Sequence, residues 1–408
     1  MRTVVMSAVV AVLAVASGAT AQTLPLTETE ALARLSPASA RVRAIRSEVD
    51  VARAAVLAAG RWPNPRLTFD RESAAGISED LFMVAVPLPI TGRRGFDAQA
   101  ASALVDATSS RADEGLRRLR ADVRVAFGRL AAAQEREREL TAAHQRAREL
   151  ADVLVKREAA GDAAGFDRLR AEREALDIEV DRATAAADRA RAQAALGSFF
   201  GEPVEPSRLV AVTGRSSPPV LPTVDALVER AKTSRGELLA MGKEIDAAHL
   251  AARSADRRRL PEPEVVAGTK SSSAGGGDIG SVFTVQASLP LFDRGAPERA
   301  LAQARASQTD ARRQTWLIAL RQEIAALRAE IEARRGIAEQ YRSASLTTAL
   351  QIERIAQVSY DAGERGILEL LDAYRTGSAA RIRQVTLDLA VRQAEIELEF
   401  VSGWEMAS

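Results

Sequence analysis

The sequence predicts a mainly helical protein with a small β part, built as two tandem copies of one unit: helix, strand pair, long helical hairpin. Three echoes separated by about 200 residues carry this reading. Arg61-Trp62-Pro63-Asn64-Pro65 returns as Arg259-Leu260-Pro261-Glu262-Pro263, and Leu88-Pro89-Ile90 returns as Leu289-Pro290-Leu291. Ala160-Gly161-Asp162, with Asp167-Arg168-Leu169-Arg170-Ala171 after it, returns as Ala362-Gly363-Glu364 with Glu369-Leu370-Leu371-Asp372-Ala373. The spacing stays nearly constant across all three echoes, which chance similarity of alanine-rich helices does not produce.

The chain opens with a segment that reads as a secretory signal peptide over residues 1–21. A charged start (Met1-Arg2-Thr3) precedes an apolar run from Val4 to Ala16, too short to span a bilayer, and small residues Ala19 and Ala21 stand before Gln22. The first repeat then covers residues 22–200, a proline-rich connection covers 201–222, and the second repeat covers 223–408. After the signal no stretch reaches the ~18 uninterrupted apolar residues of a membrane helix. With 27% of residues charged, a helical inner-membrane bundle is excluded.

The net charge is +1, and arginines alternate with acids along the helical stretches. No basic patch results, so nucleic acid is not an expected partner. The chain has no cysteine, so disulfides contribute nothing to the fold, and a lipidated cysteine is excluded.

Strands are expected at about 66–72 and 81–88, and again at about 264–272 and 280–289. Over residues 282–289, Phe283, Val285, Ala287 and Leu289 fall on one face and Val282, Thr284, Gln286 and Ser288 on the other. This period of two is the pattern of a barrel wall with one face to lipid. Residues 81–86 are apolar on both faces, and the strand there rests on the repeat relation. Four strands cannot close a membrane barrel, which takes about eight or more, and open edges do not survive in lipid. The chain must therefore assemble, with two copies giving eight strands and three giving twelve; the count alone does not choose.

From about Phe96 to Glu158, and from about Pro297 to Ala362, no internal proline interrupts the helix formers. Some 60 residues at 1.5 Å each make a helix roughly 90 Å long. Apolar seams at Leu116, Leu119, Val123, Phe127 and Leu130, and at Leu317, Leu320, Ile324, Leu327 and Ile331, give each helix a packing stripe. Turns at about 159–166 and 361–366 fold each chain back into a second helix, giving two antiparallel coiled-coil hairpins. The connection, with Pro203, Pro206, Pro218, Pro219 and Pro222, is expected to pack around the outside of the helical tube.

With these marks the chain resembles the outer membrane factor family, the TolC-like exit ducts of Gram-negative efflux and secretion systems. The resemblance covers everything after Gln22 and includes Leu88-Pro89-Ile90-Thr91-Gly92-Arg93 after the first strand pair and the run from Gly363 to Ala373. Arg61-Trp62-Pro63-Asn64-Pro65-Arg66-Leu67 resembles the heavy-metal efflux branch in particular. The resemblance implies a homotrimer with a twelve-stranded β-barrel in the outer membrane, continuous with an α-helical barrel that crosses the periplasm. It implies a passive duct in a tripartite system, without catalysis or cofactor, for heavy-metal cations, with organic drugs or secreted products as the alternative cargo. Its implied partners are a periplasmic adaptor, docking at the turns of Gly161, Asp162, Gly363 and Glu364, and an inner-membrane pump of the resistance-nodulation-division type.

The family closes its tunnel at the hairpin turns. Carried over by position, Tyr360 and Arg365 match a tyrosine and an arginine that tie the inner hairpin shut, and Asp167 matches their acidic partner. Glu369 and Asp372 match two acids that ring the aperture; the first is Glu here where the family has Asp. Independently of the resemblance, Arg365, Glu369 and Asp372 are spaced to share one helix face, where a symmetric assembly would set carboxylates around an axis. Acids in a first helical turn are also ordinary stabilisers of a helix start.

No enzyme is expected. His144 and His249 stand without a second ligand at metal-binding spacing, and Gly268-Thr269-Lys270-Ser271 lacks the spacing of a phosphate loop. A periplasmic adaptor would carry one hairpin and more β structure, and a coiled-coil scaffold would not explain the duplicated strand pairs.

Overall fold

A computed structural model describes residues 23–161, 165–214 and 219–405. The signal segment 1–21, Asp162 and Pro218 lie outside the described residues. The chain runs β1 (Leu24–Leu26), α1 (Glu28–Ala33), α2 (Ala40–Gly60), β2 (Arg66–Ala74), β3 (Ile77–Pro87), α3 (Arg93–Ala159) and α4 (Gly165–Gly197). It continues through β4 (Leu209–Ala211), α5 (Val224–Ser234), α6 (Gly236–Asp256), β5 (Pro263–Ser272), β6 (Asp278–Ala287), α7 (Ala296–Gln340), α8 (Thr347–Asp361) and α9 (Ile367–Ser402).

The 67 residues of α3 span about 100 Å. A helix of that length needs partners along all of it, and α4, with 33 residues, covers only the later half. Ion pairs mark this pairing: Arg189–Glu137 at 3.0 Å, and Arg168–Glu158 at 2.5 Å beside the turn. The earlier half is flanked by α2 and α6. Ile45 meets Gly115, and Arg111 binds Glu237 at 2.9 Å and Glu244 at 2.7 Å. Neither flanking helix was expected as a partner of α3, because the pairing is set by the return of the chain through the strands. Helix α9 also packs along α3, tied by Arg118–Glu397 at 2.7 Å in the earlier half of α3 and Arg381–Glu139 at 2.8 Å in its later half. The result is a layer four helices wide, α2-α3-α6-α7 at one end and α4-α3-α9-α7/α8 at the other.

The second long helix is not continuous. Between α7 and α8, residues Tyr341–Leu346 adopt π-helical geometry, which sequence periodicity does not reveal because the residues remain helix formers. Side chains support the carbonyls there: Gln384 Nε2 donates to the Ala338 carbonyl at 3.3 Å, and Thr347 Oγ1 donates to that of Arg342 at 3.1 Å. Arg342 holds Asp388 at 2.6 Å, pinning the segment to α9.

The strands form one antiparallel sheet in the order β2-β3-β5-β6, so the two repeats meet at β3 and β5. Register pairs Leu67 with Val84 and Phe69 with Phe82; Val84 faces Ala267, and Ala267 faces Phe283. These residues share one face, and Leu67, Phe69 and Phe283 are each more than 60% exposed on it. The opposite face is less accessible. There Val266 and Ala85 are buried, Arg66 binds Glu264 at 2.5 Å and Lys270 binds Glu79 at 2.6 Å. The apolar alternation read at 282–289 is thus one row of an exposed apolar band, which ends toward the strand turns at the Arg71–Asp80 ion pair of 3.5 Å.

A parallel pair, Leu24–Leu26 with Leu209–Ala211, brings the connection back against α3, where Leu26, Leu209, Leu196, Phe127 and Leu130 form a core. The connection also lies against α7, since the Pro222 and Pro219 carbonyls accept from Arg328 at 2.9 Å and Arg335 at 2.7 Å.

Candidate functional site

Both hairpins end in the same backbone device. At the second, Gly363 has φ +73°, its N–H donates to the Tyr360 carbonyl at 3.0 Å, and the Glu364 N–H donates to that of Ser359 at 2.9 Å. These are the two bonds of a Schellman motif, and the left-handed φ favours glycine. Gly161, with φ +82°, makes the matching bond to the Glu158 carbonyl at 3.0 Å. The repeated Ala-Gly pairs of the sequence are therefore helix stops that place both turns at one end of the molecule.

A common core holds the two tips side by side. Leu150, Ala151 and Leu154 of α3 and Ala171 of α4 pack on Ala356 of α8 and on Ile367, Leu370, Leu371 and Ala373 of α9. Tyr360 and Tyr374 lie against this cluster. The leucines of the Leu-Leu-Asp-Ala motif are buried, and its acid, Asp372, is exposed.

Arg157 near the end of α3 sits over the Tyr360 ring, its guanidinium carbon 5.5 Å from the centroid and Nη1 3.5 Å from the hydroxyl. The Tyr374 hydroxyl donates to Gln357 Oε1, and Gln357 Nε2 donates to Asp361 at 2.9 Å. One turn or more inward, Arg381 of α9 binds Glu353 of α8 at 3.0 Å as well as Glu139. Burial disfavours the Arg381 charge, but the two carboxylates outweigh it and hold the guanidinium above its ordinary range. Arg375 reaches across to Glu174 of α4, whose hydrogen bonds raise its pKa as well.

The residues expected at a closure divide into two groups. Tyr360 is engaged, but by Arg157 rather than by Arg365 or Asp167. Arg365, Glu369 and Asp372 are exposed, Asp167 is half-exposed, and among the described residues none of the four makes an ion pair within the chain. Gly161, Gly363 and Glu364 lie exposed at the turns. Sequence reading missed Arg157, Arg381 and Glu353; they join helices from different repeats, and no local spacing marks them. Among the described residues no group of acids and histidines could hold a metal ion.

Residues 227–403 match the family model described as outer membrane efflux protein. Over 385 residues, 93% of this chain and 90% of the relative, the sequence is 25% identical to the cobalt-zinc-cadmium resistance protein CzcC of Cupriavidus metallidurans. A membrane protein from Pseudomonas aeruginosa has the same fold, with a TM-score of 0.76, 20% identity and coverage of 92% of this chain and 93% of that one. So does CusC, with a TM-score of 0.74, 16% identity and coverage of 93% and 92%. The family match covers the second repeat, and the fold likeness extends over both. The second repeat is thus similar to outer membrane efflux proteins in sequence, and the whole duplicated strand-and-hairpin plan has the fold of the solved channels.

Proposed function

We propose that the chain is the outer-membrane channel of a tripartite efflux system, a passive duct through which heavy-metal cations leave the periplasm. The observation that carries this reading is a sheet with an exposed apolar band on one face, a less accessible opposite face holding the Arg66–Glu264 and Lys270–Glu79 ion pairs, and two edges unpaired among the described residues, continuous with a layer of four helices. Such a sheet is stable in lipid only when further copies close it. Strand β6 of one copy can run antiparallel to β2 of the next, since directions alternate across the sheet. Three copies give twelve strands and close the helical layer into a tube. The helices that border the layer carry exposed apolar residues available for that closure: Val51 and Leu57 of α2 and Leu176 and Val180 of α4, and Ile318 of α7 with Ile355 and Val358 of α8.

Around a threefold axis Arg365, Glu369 and Asp372, which make no ion pair among the described residues, would line the mouth at the hairpin tips. Arg365 would pair with Asp167 of the next copy, and the carboxylates would form a ring that favours cations. Exposed pairs of this kind contribute about 0–1 kcal/mol each, so a docked partner could open the tips. That partner is a periplasmic adaptor seated at the turns of Gly161, Asp162, Gly363 and Glu364, with an inner-membrane pump of the resistance-nodulation-division type supplying the energy. Metal cargo is supported by the whole-length similarity to a protein whose name states cobalt, zinc and cadmium resistance. Cells lacking the chain should retain more Co2+, Zn2+ and Cd2+ after loading, with the defect reversed by the intact gene. Unchanged metal content with raised retention of organic drugs would overturn the cargo and keep the duct.

A further inference from the structure

The base of the sheet, where strands give way to helices, sets arginines beside exposed apolar side chains in both repeats, with an arginine pair in the second that meets no carboxylate among the described residues. Below β5 and β6 lie Arg253 and Arg257, with Leu260, Leu289, Leu291 and a fully exposed Phe292. Two adjoining hollows of about 490 and 410 Å³ run together there, sharing Arg257 and Leu260, and Leu289 lines the second. Leu289, two residues past the end of β6, lines the second hollow with Ser288 and Pro290, directly below the strand that carries Phe283 and Val285. The first repeat sets Arg61, an exposed Trp62 and an exposed Ile90 at the equivalent place, with Arg94 stacked 5.2 Å over the Trp62 ring.

Three acids line the two hollows, and each is already engaged. Asp256 binds Arg259 at 3.4 Å and Arg299 at 3.2 Å, Glu262 binds Arg93 at 3.7 Å, and Asp293 binds Arg258 at 3.5 Å. Arg257 lies 5.5 Å over the Phe96 ring, and neither it nor Arg253 meets a carboxylate among the described residues. Arginines not paired with the acids around them, set at the margin of the sheet beside Trp and Phe, match the depth at which a bilayer's phosphates meet its acyl chains.

We propose that this margin is a phospholipid collar: Arg253 and Arg257 bind the phosphates of anionic phospholipids in the periplasmic leaflet, while Trp62, Leu260, Leu289 and Phe292 enter the acyl boundary. The collar rests on the barrel reading above and adds a lipid partner to it. Repeated once in each copy of an assembled channel, the arginine pair would form a ring, which would fix the height of the barrel in a chain that has no cysteine to lipidate.

The test uses the assembled full chain in nanodiscs of phosphatidylcholine containing a minor fraction of phosphatidylglycerol. Enrichment of phosphatidylglycerol around the protein is read by native mass spectrometry, and the assembly state is read from the same spectra. The wild type should enrich the anionic lipid, with enrichment falling roughly 5-fold for each of Arg253→Gln and Arg257→Gln. Arg257→Lys, which keeps the charge, should retain most of it. Equal enrichment in the wild type and the glutamine variants, with all inserted, would overturn the collar and leave the barrel standing. Loss of assembly without lipid selectivity would assign the margin to a second copy of the chain and also overturn it. Failure of the wild type to insert at all would remove the barrel reading, and the collar with it.

Discussion

Arg157 of the first hairpin caps the ring of Tyr360 in the second, its guanidinium carbon 5.5 Å from the ring centroid. The two residues are 203 positions apart in sequence, and their contact links the two tips. A half-exposed stacked pair of this kind contributes about 0.5–1 kcal/mol. Arg157→Ala should therefore loosen the tips without unfolding the protein. Amide hydrogen exchange should speed up by several-fold around residues 355–371 while the strands remain unchanged.

The inward links are stronger. Arg124 binds both Glu28 at 2.6 Å and Glu399, and the Glu399 side chain is only 7% exposed. Burial works against the Arg124 charge, and the two carboxylates more than compensate, so its pKa lies above the ordinary range. Glu399→Gln leaves that guanidinium poorly matched in a largely buried site. It should cost about 3 kcal/mol, seen as a lower denaturation midpoint, whereas Arg53→Ala at the exposed Asp50 pair should change little.

Much of this plan was legible in sequence. The Ala-Gly repeats gave both hairpin turns because a Schellman stop has a local chemistry, and alternation at 282–289 gave one row of the apolar face. The pairing of β3 with β5, the packing of α2 and α6 on α3, and the π-helical break at Tyr341–Leu346 were not legible. Each depends on contacts between segments far apart in the chain, or on backbone geometry that leaves the residue pattern intact. At the tips the sequence sets Tyr360, Arg365, Glu369 and Asp372 around the Gly363 turn, whereas the partner that Tyr360 takes within its own chain was not legible.

The first strand pair turns through Ala75 and Gly76 with φ of +52° and +82°, the left-handed pair of a two-residue hairpin. Alanine is strained in that region and glycine is not. Ala75→Gly should stabilise the folded chain by about 1 kcal/mol, detectable as a raised midpoint of thermal unfolding.

Tyr374 supplies a pH signature. Burial raises its pKa above the free phenol value, and nearby Arg146 only partly opposes the shift. The folded state therefore holds the phenolic proton more tightly than the unfolded state. Its contribution is complete below about pH 10 and is lost as pH rises through the folded value. Hairpin-tip stability should decline on this alkaline limb, and Tyr374→Phe, which cannot ionise, should flatten it; stability followed from pH 8 to pH 11.5 checks the difference.

Closure of several copies into a gated duct is the central claim, and planar-bilayer conductance of the purified assembly measures it most directly. The wild type should show small, long-lived openings, and the double variant Tyr360→Phe with Arg365→Ser should conduct several-fold more. No conductance from either protein, with folding and insertion verified, would contradict the account.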